Sequence, residues 1–198
     1  MFGFFKSKKK VSFNEQLLEL QKIGIKLNKN ISEELILNEH GRKEFEKDPY
    51  LLLLIALGSE IEIDENFLNC SDEIWYLDTE CIEDTGDYVR IAKRIKELSN
   101  GLLNIENIID TVDIENLEAS ISFNFEGTEY NWNLDVNDDW LDETILFKLN
   151  ELLKLKDSER SITILNLGGQ DCLVGIYSEE QVKYLNNLLN GSKFESIS

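Results

Sequence analysis

Leu117-Glu-Ala-Ser-Ile-Ser-Phe-Asn-Phe-Glu-Gly-Thr-Glu-Tyr-Asn-Trp-Asn-Leu-Asp-Val136 is the stretch that decides how this chain folds. Leu117, Ala119, Ile121, Phe123 and Phe125 alternate with Glu118, Ser120, Ser122, Asn124 and Glu126. Beyond Gly127-Thr128, the residues Tyr130, Trp132, Leu134 and Val136 alternate with Asn131, Asn133 and Asp135. A period of two is the signature of a strand with one face buried. A two-residue turn at Gly127-Thr128, with Gly first, suits type II′ and pairs Phe125 with Tyr130, Phe123 with Trp132 and Ile121 with Leu134. The opposite face is Ser and Asn with an Asp and no Lys, and is left to water or to a partner.

Toward the C-terminus, Asn137-Asp-Asp-Trp-Leu-Asp142 leads into a helix carrying Ile145, Leu146, Leu149, Leu152 and Leu153. A second hairpin follows: Ile162 to Leu167, the turn Gly168-Gly-Gln-Asp171, then Cys172 to Tyr177. Its strands are apolar on both faces, as expected of central strands covered on two sides. Ser178-Glu-Glu opens a last helix that stops at Gly191.

Toward the N-terminus, residues 103–114 are ambiguous. Tyr88, Ile91, Ala92, Ile95 and Leu98 recur at helical spacing before Gly101, and Ile74 to Asp78 is a short strand. Ser12-Phe-Asn-Glu15 is a capping box, and Leu17, Leu18, Leu20, Ile23 and Leu27 extend a helical stripe to about residue 28. Ser32 starts a second helix. Asp48-Pro49 starts a third, with Asp as cap and Pro at the first helical position, and Gly58 ends it. Leu51 to Leu57 is apolar all round and belongs in a core. The expectation is an α+β fold: a helical N-terminal third, residues 12–57, packed on a mainly antiparallel sheet of about five strands with additional helices. Residues 1–11 read as a mobile basic tail, and 12–198 as a single domain.

With 198 residues, 42% of them hydrophobic, the chain can bury one good core. The net charge of -19 is uneven: residues 1–47 hold ten basic against seven acidic side chains, and residues 48–198 ten against thirty-two. No Lys or Arg occurs in 48–89, which has twelve acids, or in 97–147, which has thirteen. Such a field repels nucleic acid and attracts cationic surfaces. No apolar run approaches the roughly 20 residues of a membrane span. Phe2, Phe4 and Phe5 beside Lys6 and Lys8 to Lys10 allow only weak contact with a membrane, and the start has no cleavage site, so a cytoplasmic location is expected. Cys70, Cys81 and Cys172 show no C-x-x-C spacing, and His40 is the lone histidine, which argues against a disulfide framework, a zinc site or a Cys/His pair.

Asp78-Thr-Glu-Cys-Ile-Glu-Asp-Thr-Gly-Asp-Tyr88 sets five carboxylates and a thiol close together. Their spacing matches no calcium loop, and no Lys accompanies them as in a nuclease site. If a helix begins near Gly86, then Glu83, Asp84 and Asp87 favour its dipole and Asp84 or Thr85 caps it, which leaves Asp78 and Glu80 unexplained. Asp138, Asp139 and Asp142 have the same double reading at the start of the next helix. Gly168 to Asp171 is a turn rather than a phosphate loop. Carboxylates near Trp75, Tyr76, Tyr88, Trp132 and Trp140 suit an interface with a Lys- and Arg-rich protein.

The segments LLLLIALGSE, IWYLDTECIEDTGDYVRI, NDDWLD and GGQDCLVG resemble parts of a bacterial family of small acidic proteins, a resemblance over residues 48–177 that implies no activity or site. The charge and size are similar to those of bacterial toxin-immunity proteins. The reading is of a non-enzymatic binding protein, an immunity protein or inhibitor of a basic effector, with no cofactor and no metal. Its partner-binding residues would be Asp78, Glu80, Glu83, Asp87, Asp138, Asp139, Trp140 and Asp171. The alternative is a metal-dependent hydrolase using Asp78, Glu80 and Asp171 or Asp138.

Overall fold

The hairpin that is apolar on both faces lies between two cores. In a computed structural model describing residues 10–197, β7 (Arg160–Gly168) and β8 (Asp171–Ser178) occupy the middle of a sheet ordered β3-β8-β7-β9, with β3 at Ile74–Asp78 and β9 at Glu195–Ser196. Every pairing in it is antiparallel. Alternate residues look in opposite directions, so Trp75, Leu77, Ile162, Cys172, Val174 and Ile176 face one core, and Ile74, Leu165, Leu173 and Tyr177 face the other.

The first core is closed by α5 (Asp87–Leu98), α6 (Thr144–Lys156) and a second sheet, β4-β5-β6, built from Ile105–Asp113, Glu118–Phe125 and Thr128–Leu134. The second is closed by the N-terminal helices α1 (Phe13–Gln21), α2 (Glu33–His40), α3 (Arg42–Lys47) and α4 (Leu51–Gly58), together with α7 (Glu179–Leu188). The remaining pair, β1 (Glu60–Ile63) and β2 (Asn66–Asn69), forms a small hairpin. The class is α+β, with seven helices and nine strands among the described residues against the five strands expected.

The 117–136 hairpin forms, but two residues out of the expected register. Phe125 pairs with Thr128, Phe123 with Tyr130 and Ile121 with Trp132. The turn is Glu126-Gly127, whose φ angles of 52° and 75° are both positive, so it is type I′ rather than II′. That choice leaves β-branched Thr128 in the strand, where it is at ease. An even shift keeps every side chain on its face, so Ile121, Phe123 and Phe125 are buried as expected. Each such side chain contributes roughly 1.5–3 kcal/mol by leaving water.

Two boundaries of the N-terminal helices move. The Ser12 capping box is present, but α1 ends at Gln21, not near 28: Gly24, at φ 94°, donates to the Gln21 carbonyl and Ile25 to that of Leu20, a Schellman ending. The Asp48-Pro49 start is replaced by Tyr50, at φ 76°, with no side-chain cap on α4. Buried Gln16 sets that turn, accepting from the Tyr50 N–H at 2.8 Å and donating to the Phe45 carbonyl at 2.8 Å. Gly58, the last residue of α4, lies where the helix crosses β3: a Cβ there would stand 2.7 Å from the Tyr76 nitrogen.

Residues 1–9, most of the expected basic tail, lie outside the described residues; Lys10 stands 2.7 Å from the Glu46 carboxylate. Among the described residues no helix is long and apolar enough to cross a membrane.

Candidate functional site

The acidic segments that are far apart in sequence meet at one end of the central sheet. Strand β3 runs antiparallel to β8, which sets Asp78 directly opposite Asp171. From there the chain turns against the β7–β8 loop: the Thr79 N–H and hydroxyl both donate to the Gln170 carbonyl, at 3.0 and 2.8 Å. The Gln170 amide lies 3.4 Å from Asp78 Oδ2, and Asp78 Oδ1 accepts the Glu80 N–H at 2.9 Å.

The Asp138 knot joins the same end through its backbone. Leu141 donates to the Thr79 carbonyl at 2.7 Å, Ile82 donates to that of Asp139 at 2.9 Å, and Glu80 and Trp140 form a single antiparallel bridge between them. Tyr88, fully buried on α5, accepts the Asp142 N–H through its hydroxyl at 3.1 Å and anchors this loop from below. Asp138 takes a left-handed conformation, φ 55°, and is exposed; Trp140 is 38% exposed. The result is a rim of Asp78, Glu80, Asp138, Asp139 and Asp171 with one indole standing out of it.

Glu83 and Asp87 lie past Ile82 and turn toward α5. Asp87 Oδ2 accepts the N–H groups of Glu83 and Asp84, each at 2.9 Å, and its other oxygen stands 3.9 Å from Arg90 Nε. Asp87 thus answers to the helix start, as expected of it, whereas Glu83 lies before the first turn and the cap itself does not come from Asp84 or Thr85. Gly86 occupies the cap position, and the N–H groups of Gly86 and Val89 donate to Asp110 of β4 at 2.7 and 3.1 Å. The expected side-chain cap of α6 does not form, since Glu143 holds the cap position without one; Asp142, just before it, accepts from the Thr144 N–H at 2.9 Å and from that of Asp135 at 2.8 Å.

The chemistry of the rim is that of fixed negative charge. Accepting a hydrogen bond from the Tyr76 hydroxyl, the Asp171 carboxylate is the main cause that pushes this phenol up to about 12, with burial second. Burial, aided by Asp87 and Asp78 and opposed by Arg90, raises the Cys81 thiol above its ordinary value. Burial likewise lifts Cys70 to about 11 and Cys172 to about 12, so none is an activated nucleophile. Among the described residues no three His, Cys, Asp or Glu side chains gather into a group that could hold a metal ion.

Thr79, Gln170 and Asp110 escape a reading of the sequence because each acts across a long separation. One signal was present: two strands whose paired ends are both Asp, IWYLD and DCLVG, place like charges together once they are aligned antiparallel. No protein-family model matches this chain, nor does any curated protein or solved structure.

Proposed function

We propose that the chain is an acidic binding protein that neutralises a basic protein partner, in the manner of an immunity protein, through the rim formed by residues 78–82, 137–142 and 168–171. One observation carries this reading: three separate acidic segments are drawn to one end of the sheet by backbone hydrogen bonds, with half-exposed Trp140 among them. Backbone ties hold the loops while leaving side chains of Asp138 and Asp139 free to meet Lys and Arg. Rim carboxylates speed the encounter, and an aromatic side chain beside them supplies an anchor. Glu83 and Asp87 flank this rim and add to its field.

The test is purification of the tagged full chain from its native cells at low and high salt, with mass spectrometry of what elutes. A basic protein released by salt is expected, and its association rate should fall when Asp138 and Asp139 are changed to Lys. A partner whose binding is indifferent to Asp138→Lys, Asp139→Lys and Trp140→Ala would reject this surface.

A further inference from the structure

Two buried side-chain polar atoms among the described residues lack a hydrogen-bond partner: Arg94 Nε and Asn69 Oδ1. Both residues line one cleft of about 330 Å³, at the seam where the β1–β2 hairpin of one core meets α5 of the other, with Trp75 in its wall. Arg94 is 5% exposed and its terminal nitrogens are engaged. Nη2 donates to the carbonyls of Ser71 and Ile74 at 2.7 and 3.0 Å, and Nη1 lies 3.1 Å from Glu97.

The rest of the lining is unusual for this chain. Arg90, Lys93 and Arg94 stand at i, i+3 and i+4, on one face of α5. Arg90 approaches Asp87 loosely, at 3.9 Å, and also meets the Cys81 thiol, while Lys93 forms no ion pair among the described residues. Glu97 is tied to Arg94, which leaves Glu60 as the other carboxylate in the lining. Three cations against two carboxylates make this an electropositive cleft on a chain of net charge -19. Its volume lies at the lower end of those that hold small molecules.

We propose that this cleft binds a small molecule bearing an oxyanion, a phosphate or a carboxylate. Arg90 and Lys93 hold the anion, Arg94 Nε donates to it, and Asn69 Oδ1 accepts from a hydroxyl or amine of the same molecule. Guanidinium groups suit such planar or tetrahedral oxyanions because their donors are fixed in a fork. Both unpartnered atoms are shut off from solvent, so binding shifts the Arg94 and Asn69 side chains, and the Arg94 Nε–H resonance reports it. This site stands apart from the acidic rim and does not rest on the partner proposed for it.

The experiment titrates the isotope-labelled full chain with inorganic phosphate and, separately, with acetate, at constant ionic strength set by chloride. A saturable shift of the Arg94 Nε–H is expected, with an affinity about tenfold weaker in Lys93→Glu, the loss of roughly one charge-assisted bond. Response to phosphate alone assigns a phosphate-bearing ligand, and response to acetate alone a carboxylate. The proposal is overturned if neither anion moves the resonance, or if folded Lys93→Glu responds as the parent does.

Discussion

Asp78 and Asp171 face each other as direct neighbours across β3 and β8, and the second of them holds the Tyr76 hydroxyl. Like charges so placed repel. With Tyr76 lifted to about 12 from an ordinary 10.0, its protonated form is favoured by the folded state. Stability from this contact is therefore full below the unfolded value and is lost as pH rises through the folded one. Unfolding midpoints should fall across that alkaline window, and Asp171→Asn should bring Tyr76 down in an ultraviolet pH titration. In the same variant the gain in stability on adding salt should shrink, because one partner of the repulsion is gone.

Asp110→Ala should cost roughly 1–3 kcal/mol in urea denaturation, since two N–H groups at the start of α5 lose their acceptor. Asp110→Asn, which keeps one acceptor oxygen, should cost less. Equal costs for the two would deny that the side chain acts as a cap.

A methyl group is enough to disturb the crossing of α4 over β3. Gly58→Ala should destabilise by about 1–3 kcal/mol, as overpacking does, because the backbone of Tyr76 cannot swing aside as a side chain would. The thermal midpoint measures it.

The turn that sets the register of β5 and β6 can be tuned. Glu126→Asn should stabilise by about 0.5 kcal/mol, since Asn accepts positive φ more readily and the lost ion pair with Lys156 is on the surface. Gly127→Ala, at φ 75°, should do the reverse. Were the turn at Gly127-Thr128, substitution at 126 would leave the urea midpoint unmoved.

Thiol reagents should distinguish the cysteines. Cys81 is only partly buried and should be modified first, whereas Cys70 and Cys172, buried and raised to about 11 and 12, should react only on unfolding. Rapid modification of Cys172 in the folded protein would contradict its burial.

What the sequence discloses follows from the range over which each signal acts. The alternation of 117–136 and the two-sided apolarity of 162–177 are local, so the strands, the burial of Phe123 and the position of the second hairpin between two cores were legible. The register was not, because Glu126 gives no sign that it will take φ 52° beside Gly127. The β1–β2 hairpin was invisible for the same reason: its turn is Asp64-Glu65, at φ 49° and 64°, without Asn or Gly. Within the candidate surface, helix starts explain Asp87 and Asp142 from local chemistry alone. The convergence of Asp78, Glu80, Asp139 and Asp171 depends on β3 pairing with a strand some ninety residues away, a relation no window of the sequence contains.

The sheet shared by two cores has a consequence for how the molecule comes apart. Leu173 seals one core and Val174 the other, so pulling β8 out of register would flood both at once. The N-terminal helices and the β4-β5-β6 sheet are therefore coupled through a single pair of strands, and the chain should behave as one foldon rather than two. The amides of β7 and β8 would be the last to exchange with solvent, and the rim of carboxylates hangs from their ends.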